Sequence, residues 1–146
     1  EPPVIIIDMG TATTITVIGP NSRLLGGAIL PGAAVSLEAL SGAASLLPRI
    51  SLDAPKRAIG SGTVECMKSG AVFGAACAID GMIERMEAEL GGSAALVATG
   101  GLAGRIIPYC RHDIEIDDYM LLRGLSLIWE RNRREKRREA RQTPRA

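Results

Sequence analysis

The residues of this chain best suited to chemistry stand near its start, where positions 8 to 14 read Asp-Met-Gly-Thr-Ala-Thr-Thr. They come directly after the apolar run Val4 to Ile7, which predicts a buried strand that ends at the carboxylate. The Asp8 carboxylate can hold a cation, Gly10 has no side chain to keep phosphate oxygens from the backbone, and the threonine hydroxyls can donate hydrogen bonds to those oxygens. The segment therefore predicts a turn that binds phosphate and a cation.

The residues after this turn indicate what kind of phosphate site it is. Ile15 to Ile18 are β-branched throughout, which favours a second strand over the helix that follows a P-loop. The turn is thus predicted to join two antiparallel strands. The alternative is that Asp8 only caps a tight turn by accepting hydrogen bonds from its own backbone, as lone Asp-x-Gly sequences commonly do. The attached threonines favour the functional interpretation.

Hydrophobic periodicity and turn residues predict the elements that must position this segment. Strands are expected at about 4–8, 13–18, 23–29 and 94–98, and helices at 33–46, at 63–90, shortly after Gly101, and at 119–132. This order predicts an α/β fold whose mixed sheet opens on three antiparallel strands and is covered by packed helices. Gly70, Gly74 and Gly81 lower the helix propensity of the long helix, which predicts that it packs closely against a neighbour.

Composition and charge predict one domain with a basic end. The chain has 146 residues, of which 47% are apolar and only 3% aromatic, enough for one aliphatic core. Residues 131–146 hold eight of the 17 basic residues and two of the 16 acidic ones. We therefore expect a domain over residues 1–132 and a basic helical or disordered tail over 133–146. Arg and Glu recur there at helical spacing without aromatic residues, which favours a solvated helix extension over nucleic-acid binding.

Several classes of protein are disfavoured by what the sequence lacks. It has neither a Gly-x-Gly-x-x-Gly motif nor the Gly-Lys-Ser/Thr end of a P-loop, and one histidine is too few for a metal hydrolase. No apolar run reaches the ~20 residues that span a bilayer, and no signal peptide opens the chain, so a cytoplasmic protein without membrane contact is expected. Cys66, Cys77 and Cys110 form no Cys-x-x-Cys pair and are expected to be small core residues in a reducing compartment.

Five collinear segments together resemble the type III pantothenate kinases, a branch of the superfamily that contains sugar kinases, heat-shock ATPases and actin. Each segment alone is a common kind of turn, but the five occur in family order along the whole chain. The matching segments are Asp8-Met9-Gly10-Thr11-Ala12-Thr13-Thr14, Gly26-Gly27-Ala28-Ile29-Leu30-Pro31-Gly32, Gly60 with Thr63 and Ser69-Gly70, Thr99-Gly100-Gly101-Leu102, and Leu122-Arg123-Gly124-Leu125. The resemblance implies a ribonuclease-H-like half domain.

The resemblance also implies roles for single residues. It assigns a monovalent cation, K⁺ or NH₄⁺, to Asp8, and it assigns pantothenate to Thr63. It assigns ATP to Thr11, Gly100 and Gly101, and the chemistry of the turn adds Gly10 and Thr13 to the residues expected to bind ATP. For the two adjacent glycines the alternative is a plain strand-to-helix turn. For Thr63 the alternative is an N-cap of the long helix, although a capping hydroxyl can still contact a ligand.

The chain matches only the second of the two similar halves of those kinases. The half that it lacks carries a second phosphate loop and a Gly-x-Asp-Arg segment whose Asp is the catalytic base. We therefore expect no catalytic residue in this chain, no activity from it alone, and a missing N-terminal half as its partner. The start at Glu1 instead of Met agrees with a piece of a longer protein. Thr16, Gly62 and Lys68 stand where the family usually has Asp, Asn and Gln. These differences leave open the alternative that the chain is a degenerate, catalytically weak member of the family.

The resemblance implies a function for the complete enzyme. It would transfer the γ-phosphoryl group of ATP, with Mg²⁺ and a monovalent cation, to the primary hydroxyl of pantothenate, the first step toward coenzyme A. The family is dimeric, and the long Ala- and Gly-rich helix is expected to help build the interface of a homodimer. The alternatives are a non-catalytic or degenerate accessory or regulatory relative and another sugar-kinase-like phosphotransferase.

Overall fold

The structure, a computed structural model, describes the backbone of residues 2–142 and the side chains of residues 2–137. Within that range it has one five-stranded sheet and four α-helices. In chain order the elements are β1 (Val4–Met9), β2 (Ala12–Gly19), β3 (Arg23–Pro31), α1 (Ala33–Ala43), α2 (Thr63–Leu90), β4 (Ala95–Thr99), α3 (Ala103–Ile106), β5 (Glu115–Ile116) and α4 (Met120–Gln142). The predicted α/β class and mixed sheet are confirmed, and α2 has the bounds predicted for the long helix.

The strands lie in the order β3-β2-β1-β4-β5, with β1 at the centre. β1 and β3 both pair antiparallel with β2, whereas β4 is parallel to β1 and β5 is parallel to β4. This strand order differs from the one that the chain order suggested, because α2 carries the chain back past β2 to the free edge of β1. β5 was not predicted, since two residues are too few for a periodic pattern and pairing with β4 defines them.

Side-chain alternation divides the sheet into a buried and an open face. Ile5, Ile7 and Met9 of β1 and Ile15 of β2 are at most 1% exposed and form one core with the helices α1 to α3. The residues that α2 buries are Met67, Ser69, Val72, Ala76, Ile79, Asp80 and Ile83. On the opposite face of the sheet the side chains of Val4, Ile6, Ile18 and Val97 are half-buried, and Ile29, in register with Thr14, is 80% exposed.

The long helix α2 is buried on one side only. By length and composition alone it could cross a membrane, a possibility that the sequence analysis had set aside, but the core helix of a soluble domain has the same properties. The close packing predicted for its glycines is not found in the described part of the chain. A Cβ at Gly70, Gly74 or Gly81 would meet no neighbouring group within 4 Å. These three positions therefore mark an open strip along α2.

Two of the three cysteines are not the small core residues that we expected, whereas Cys110 packs against the core. Cys66 and Cys77 are exposed, and Cys110 is half-buried; all three are free. Burial, with smaller contributions from the carboxylate of Asp80 and from Cys77, raises the pKa of the Cys110 thiol to about 12. Cys110 is thus protonated at neutral pH and is not a reactive thiol.

A buried carboxylate holds the segment before β5 against α2. Asp80 is 2% exposed and accepts hydrogen bonds from the backbone N–H of Arg111 at 3.0 Å, from the backbone N–H of His112 at 3.3 Å and from Nδ1 of His112 at 2.7 Å. Burial raises the pKa of Asp80, but these hydrogen bonds outweigh burial and lower that pKa below its usual value. This contact joins residues far apart in sequence, and no motif predicted it.

The last helix, α4, has a fixed start and a mostly uncovered surface. The N–H of Asp117 donates to a carbonyl of β4 at 2.8 Å, while its carboxylate accepts from the N–H of Tyr119 at 2.9 Å and pairs with Arg123. From there α4 runs past its predicted end at residue 132 and crosses the boundary expected between domain and tail. Residues 143–146 of the predicted tail lie outside the described residues.

Candidate functional site

The carboxylate predicted to hold a cation lies between two threonines of neighbouring strands. Asp8, near the end of β1, is in register with Thr14 of β2 and with Thr99 of β4. Residues in register on paired strands point to the same face, so the carboxylate and the two hydroxyls form a row on the open face of the sheet. Asp8 is exposed and both threonines are half-buried. A cation or a phosphate group can therefore reach all three side chains.

The turn between β1 and β2 presents Gly10 and Thr11 to solvent. A hydrogen bond of 3.0 Å from the N–H of Gly10 to the carbonyl two residues later closes it. Thr13 is only 6% exposed and lies on the buried face of β2. The threonine that shares a face with Asp8 is thus Thr14, to which the sequence analysis gave no role of its own. Strict alternation along the predicted strand was the signal that could have identified it.

Two glycines pack against this turn from either side. Gly32, after β3, donates its N–H to the carbonyl of Thr11 at 3.1 Å, and a Cβ there would overlap the carbonyl oxygens of Gly10 and Thr11. Gly100, after β4, has a φ of +96°, and a Cβ there would lie 2.7 Å from Oδ1 of Asp8 and 2.7 Å from the backbone nitrogen and oxygen of Met9. Both positions therefore require glycine. The structure brings three of the matching segments together at one end of the sheet.

Gly101 differs from Gly100 although the two are adjacent. A Cβ at Gly101 would meet no neighbouring group within 4 Å, and the residue is exposed. Its backbone does not have the positive φ of Gly100. The described fold therefore requires glycine at position 100 but not at position 101. The two glycines that the sequence presents as one pair have separate structural settings.

Thr63 is the first residue of α2, and Gly62 occupies the N-cap position without a side-chain cap. The alternative in which Thr63 is the N-cap is therefore wrong. Thr63 borders a cavity of about 650 Å³ between α1 and the start of α2, whose wall includes Leu40 and Met67. β4 runs parallel to β1, so it begins at the end of the sheet opposite the β1–β2 turn. The long α2 leads into β4, so α2 ends there and begins at the end of the sheet that carries the turn. Among the described residues, no hydrogen bond joins Thr63 to the turn.

The three departures from the family pattern have different settings. Lys68 forms an ion pair with Asp53 at 2.8 Å, and the hydrogen bonds from Lys68 and Ser51 lower the pKa of Asp53. Lys68 thus holds a loop against α2. Thr16 lies on the open face of β2, so the usual aspartate there would add a second carboxylate to the face of Asp8. A Cβ at Gly62 would lie in open space, so the usual asparagine would fit there.

Comparison with known proteins decides which family carries this arrangement. The family model for type III pantothenate kinase matches residues 1–85. This chain belongs to the type III pantothenate kinase family. The type III pantothenate kinases of Moorella thermoacetica and of an Anaeromyxobacter species are each 45% identical to it, over 130 and 129 residues. These matches cover 89% and 88% of this chain but 51% of each relative, so the chain spans about half the length of the curated relatives it matches.

A solved structure has a similar fold. The crystal structure of a conserved putative Baf family transcriptional activator from Campylobacter jejuni superimposes with a TM-score of 0.68 and 26% sequence identity. The match covers 91% of this chain and 60% of that chain. The comparisons confirm the membership in the type III pantothenate kinase family that the five segments predicted, and the match corresponds to about half of each relative.

Proposed function

We propose that this chain is the C-terminal half of an ATP-dependent pantothenate kinase and supplies one of its two phosphate-binding turns. The observation that carries the proposal is the β1–β2 turn held between Gly32 and Gly100. A turn built this way keeps its carbonyls and its carboxylate in place while Gly10 and Thr11 stay exposed. The match to half of each relative supports the assignment to one half of the enzyme.

The topology supports a ribonuclease-H-like half domain over residues 1–132, followed by a basic tail over 133–146. Only β2 runs against the other four strands, and the long α2 lies in the crossover from β3 to β4. In open α/β sheets, ligands bind beyond the carboxyl ends of the parallel strands. The ends of β1, β3 and β4 carry Asp8, Gly32 and Thr99, which is where we place the nucleotide.

The polyphosphate of ATP would lie across the β1–β2 turn. The hydroxyl of Thr11 and the exposed backbone at Gly10 can approach phosphate oxygens, and the open position at Gly101 would admit the adenosine part. Gly100 and Thr13 would keep the turn in shape, because Gly100 packs against Asp8 and Thr13 is buried. Of the five residues expected to bind ATP, we thus place three at the nucleotide and two behind it.

Asp8 would hold the monovalent cation, K⁺ or NH₄⁺, together with hydroxyl oxygens of Thr14 and Thr99. Within residues 2–137 no group of three or more His, Cys, Asp and Glu side chains is placed to hold a metal ion. A single carboxylate among hydroxyls suits a weakly held hard cation better than a transition metal. The cation would offset the charge of the polyphosphate. Mg²⁺ would arrive with ATP, since it is commonly bound through substrate phosphates and water.

Pantothenate would bind beside Thr63. The cavity between α1 and α2 offers an apolar wall with Thr63, Ser36 and Ser61 as polar groups, which suits a small molecule with both apolar and hydrogen-bonding parts. The hydroxyl of Thr63 is not used for capping, because Gly62 is the N-cap. It is therefore available to a substrate at the end of the sheet where the nucleotide would lie.

The reaction would be transfer of the γ-phosphoryl group to the primary hydroxyl of pantothenate, in the cytoplasm. Positioning and neutralisation of charge supply most of the catalysis in phosphoryl transfer. This chain would provide both functions on one side of the nucleotide. The carboxylate that accepts the alcohol proton would come from the other half of the enzyme, so we expect this chain alone to be inactive.

A homodimer would form along the open strip of α2. A Cβ added at Gly70, Gly74 or Gly81 would meet no neighbouring group within 4 Å, so the backbone of another helix could approach closely there. A bulky side chain at this strip, as in Gly74→Leu, would block that approach. Sedimentation of the parent chain and of the Gly74→Leu variant measures whether each forms a dimer.

The proposal is tested by comparing this chain alone with a chimera in which the part of the Moorella relative that this chain does not match precedes Glu1. We expect the chain alone to bind an ATP analogue at the β1–β2 turn without forming phosphopantothenate. We expect the chimera to phosphorylate pantothenate, and K⁺ to increase the rate. An ATP analogue that binds this chain away from the turn, or a chimera that binds ATP but never phosphorylates pantothenate, contradicts the proposal.

Nucleic-acid binding by a regulatory relative is the alternative that the basic end of the chain leaves open. Several of the basic side chains of α4 are engaged within the helix. Arg131 and Arg134 lie 3.9 and 3.8 Å from glutamates one turn away, and Arg133 stacks on Trp129 at 4.9 Å from the ring centre. Salt-dependent binding to random duplex DNA that disappears on removal of residues 133–146 would favour this alternative.

A further inference from the structure

The first three turns of α4 carry an apolar stripe that nothing in the described chain covers. Its five residues recur at positions i, i+1, i+4, i+7 and i+8, which places them on one side of a helix. Their exposed fractions are 70% for Leu121, 62% for Leu122, 55% for Leu125, 53% for Ile128 and 60% for Trp129. Contiguous apolar surface of this kind is characteristic of a contact with another protein surface. We call these five residues the α4 stripe.

The α4 stripe has a fixed position relative to the candidate site. Asp117 links the start of α4 to the end of β4, since its N–H donates to the carbonyl of Ala98 at 2.8 Å. Ala98 immediately precedes Thr99, which is in register with Asp8. The carboxylate of Asp117 also pairs with Arg123 in the first turns of α4. Whatever covers the stripe is therefore held beside the end of the sheet that carries the β1–β2 turn.

From this placement we infer that the α4 stripe is the surface on which the other half of the kinase docks, an inference that rests on the function proposed above. The relatives contain about as much chain outside the matched part as inside it, because the match covers 51% of their length. That other part must lie near the β1–β2 turn if both are to act on one nucleotide. The stripe is a contiguous uncovered apolar surface of the described chain that starts at this place.

The extent of the stripe agrees with a domain contact of limited length. After Trp129 the helix continues with charged residues, of which Glu130, Arg131 and Arg134 form ion pairs along the helix. A long coiled coil with a second copy would need apolar positions to recur through these later turns as well. The apolar contact therefore ends where the solvated part of α4 begins.

The test uses Trp129, the only tryptophan of the chain, as a reporter inside the stripe. It compares this chain alone with the chimera described above, in which any tryptophan of the added part is replaced by phenylalanine. The variant Leu125→Arg places a charge in the stripe. The matched control Leu127→Arg makes the same change at a leucine that is 68% exposed and lies on the opposite side of α4.

We expect quenching of Trp129 fluorescence by acrylamide to be severalfold weaker in the chimera than in the chain alone. Leu125→Arg should lower the melting temperature of the chimera by about 5 °C or more and restore quenching, while leaving the chain alone unchanged. Leu127→Arg should change neither protein. This double comparison separates a docking contact from a general effect of arginine on the helix.

Three results would overturn the inference. The first is equal quenching of Trp129 in the chimera and in the chain alone. The second is self-association of the chain alone that Leu125→Arg abolishes, which would assign the stripe to a second copy. The third is protection of Trp129 by anionic lipid vesicles but not by the added half. Phosphorylation is measured separately, so a chimera with protected Trp129 and no activity contradicts the proposed function and not the docking surface.

Discussion

At the scale of single residues, the candidate site depends on glycines that leave room for the turn as well as on the groups that would bind a ligand. Gly32 and Gly100 allow the ends of β3 and β4 to contact the β1–β2 turn, and any side chain at either position would displace it. Asp8 keeps its carboxylate on the open face because its neighbours in β1 point into the core. The ligand-binding groups and the glycines behind them are therefore expected to respond differently to substitution.

Alanine substitutions at Gly100 and at Gly101 should separate an effect on the free energy of unfolding from an effect on ATP binding. Gly100→Ala combines an unfavourable positive φ with contact to Asp8, so we expect it to lower the free energy of unfolding by about 1–3 kcal/mol. Gly101→Ala should change it by less than about 0.5 kcal/mol, because its Cβ lies in open space. Urea unfolding measures both. If ATP analogue binding is as strong in Gly101→Ala as in the parent chain, position 101 does not face the nucleotide.

The role given to Asp8 can be tested through the cation. In the chimera, Asp8→Asn should raise the K⁺ concentration needed for half-maximal activity by about tenfold, since an amide oxygen is a weaker ligand for a hard cation than a carboxylate. The rate is measured as a function of K⁺ at saturating ATP. Asp113→Asn, at another exposed aspartate, serves as the control. Equal K⁺ dependence of Asp8→Asn and the parent chimera would remove Asp8 from the cation site.

At the scale of elements, α2 acts as the framework to which loops are attached by charged contacts. Lys68 holds Asp53 near its start, and Asp80 holds the segment before β5 near its middle. The second contact is the more buried, because Asp80 is 2% exposed while Asp53 is largely exposed. Loss of the Asp80 contact should therefore cost more stability than loss of a surface ion pair.

The contact of Asp80 predicts a loss of stability in acid. The pKa of this carboxyl is lower in the folded than in the unfolded chain, so the folded state binds fewer protons. Its contribution is complete above about pH 4 and is lost as the pH falls through the folded-state pKa. Asp80→Asn should lower the free energy of unfolding at pH 7 by about 1–3 kcal/mol and reduce its decline below pH 4. Urea unfolding at several pH values measures this.

Glu84→Gln is the matched control for Asp80→Asn. Glu84 also faces Arg111, at 3.0 Å, but both side chains of that pair are more than half exposed. An exposed ion pair contributes less than about 1 kcal/mol. If the two variants lower stability equally, or if the acid decline is unchanged in Asp80→Asn, the buried contact is not the cause.

At the scale of the whole molecule, the chain consists of a packed body and a helix that projects from it. The described side chains of α4 beyond residue 132 are exposed. We therefore expect truncation after Asn132 to leave the melting temperature of the isolated chain unchanged. Truncation after Tyr109 removes β5 and the partners of Asp80 and should lower it clearly. Calorimetry of both forms checks the boundary proposed at 132, and a lower melting temperature after the first truncation would move it.

The features of this protein that depend on local pattern could be predicted from its residues alone. Apolar periodicity over 63–90 located α2 at its observed bounds, and β-branched residues after the first turn indicated β2 in place of a helix. The order of turns and glycine-rich segments was enough to identify the family. These properties are encoded by neighbouring residues, because helix and strand periods need no information from elsewhere in the chain.

Which residues lie side by side depends on strand pairing and packing, and local pattern did not reveal it. Register between strands placed Thr14 and Thr99 beside Asp8 and turned Thr13 into the core. Packing of the chain after β4 against the turn makes glycine necessary at position 100 but not at position 101. Docking of the segment before β5 on α2 brings the ring of His112 to the buried carboxylate of Asp80. Such contacts arise from pairing and docking of segments distant in sequence. The single chain therefore carries the candidate groups, while their arrangement into a site depends on the assembled sheet.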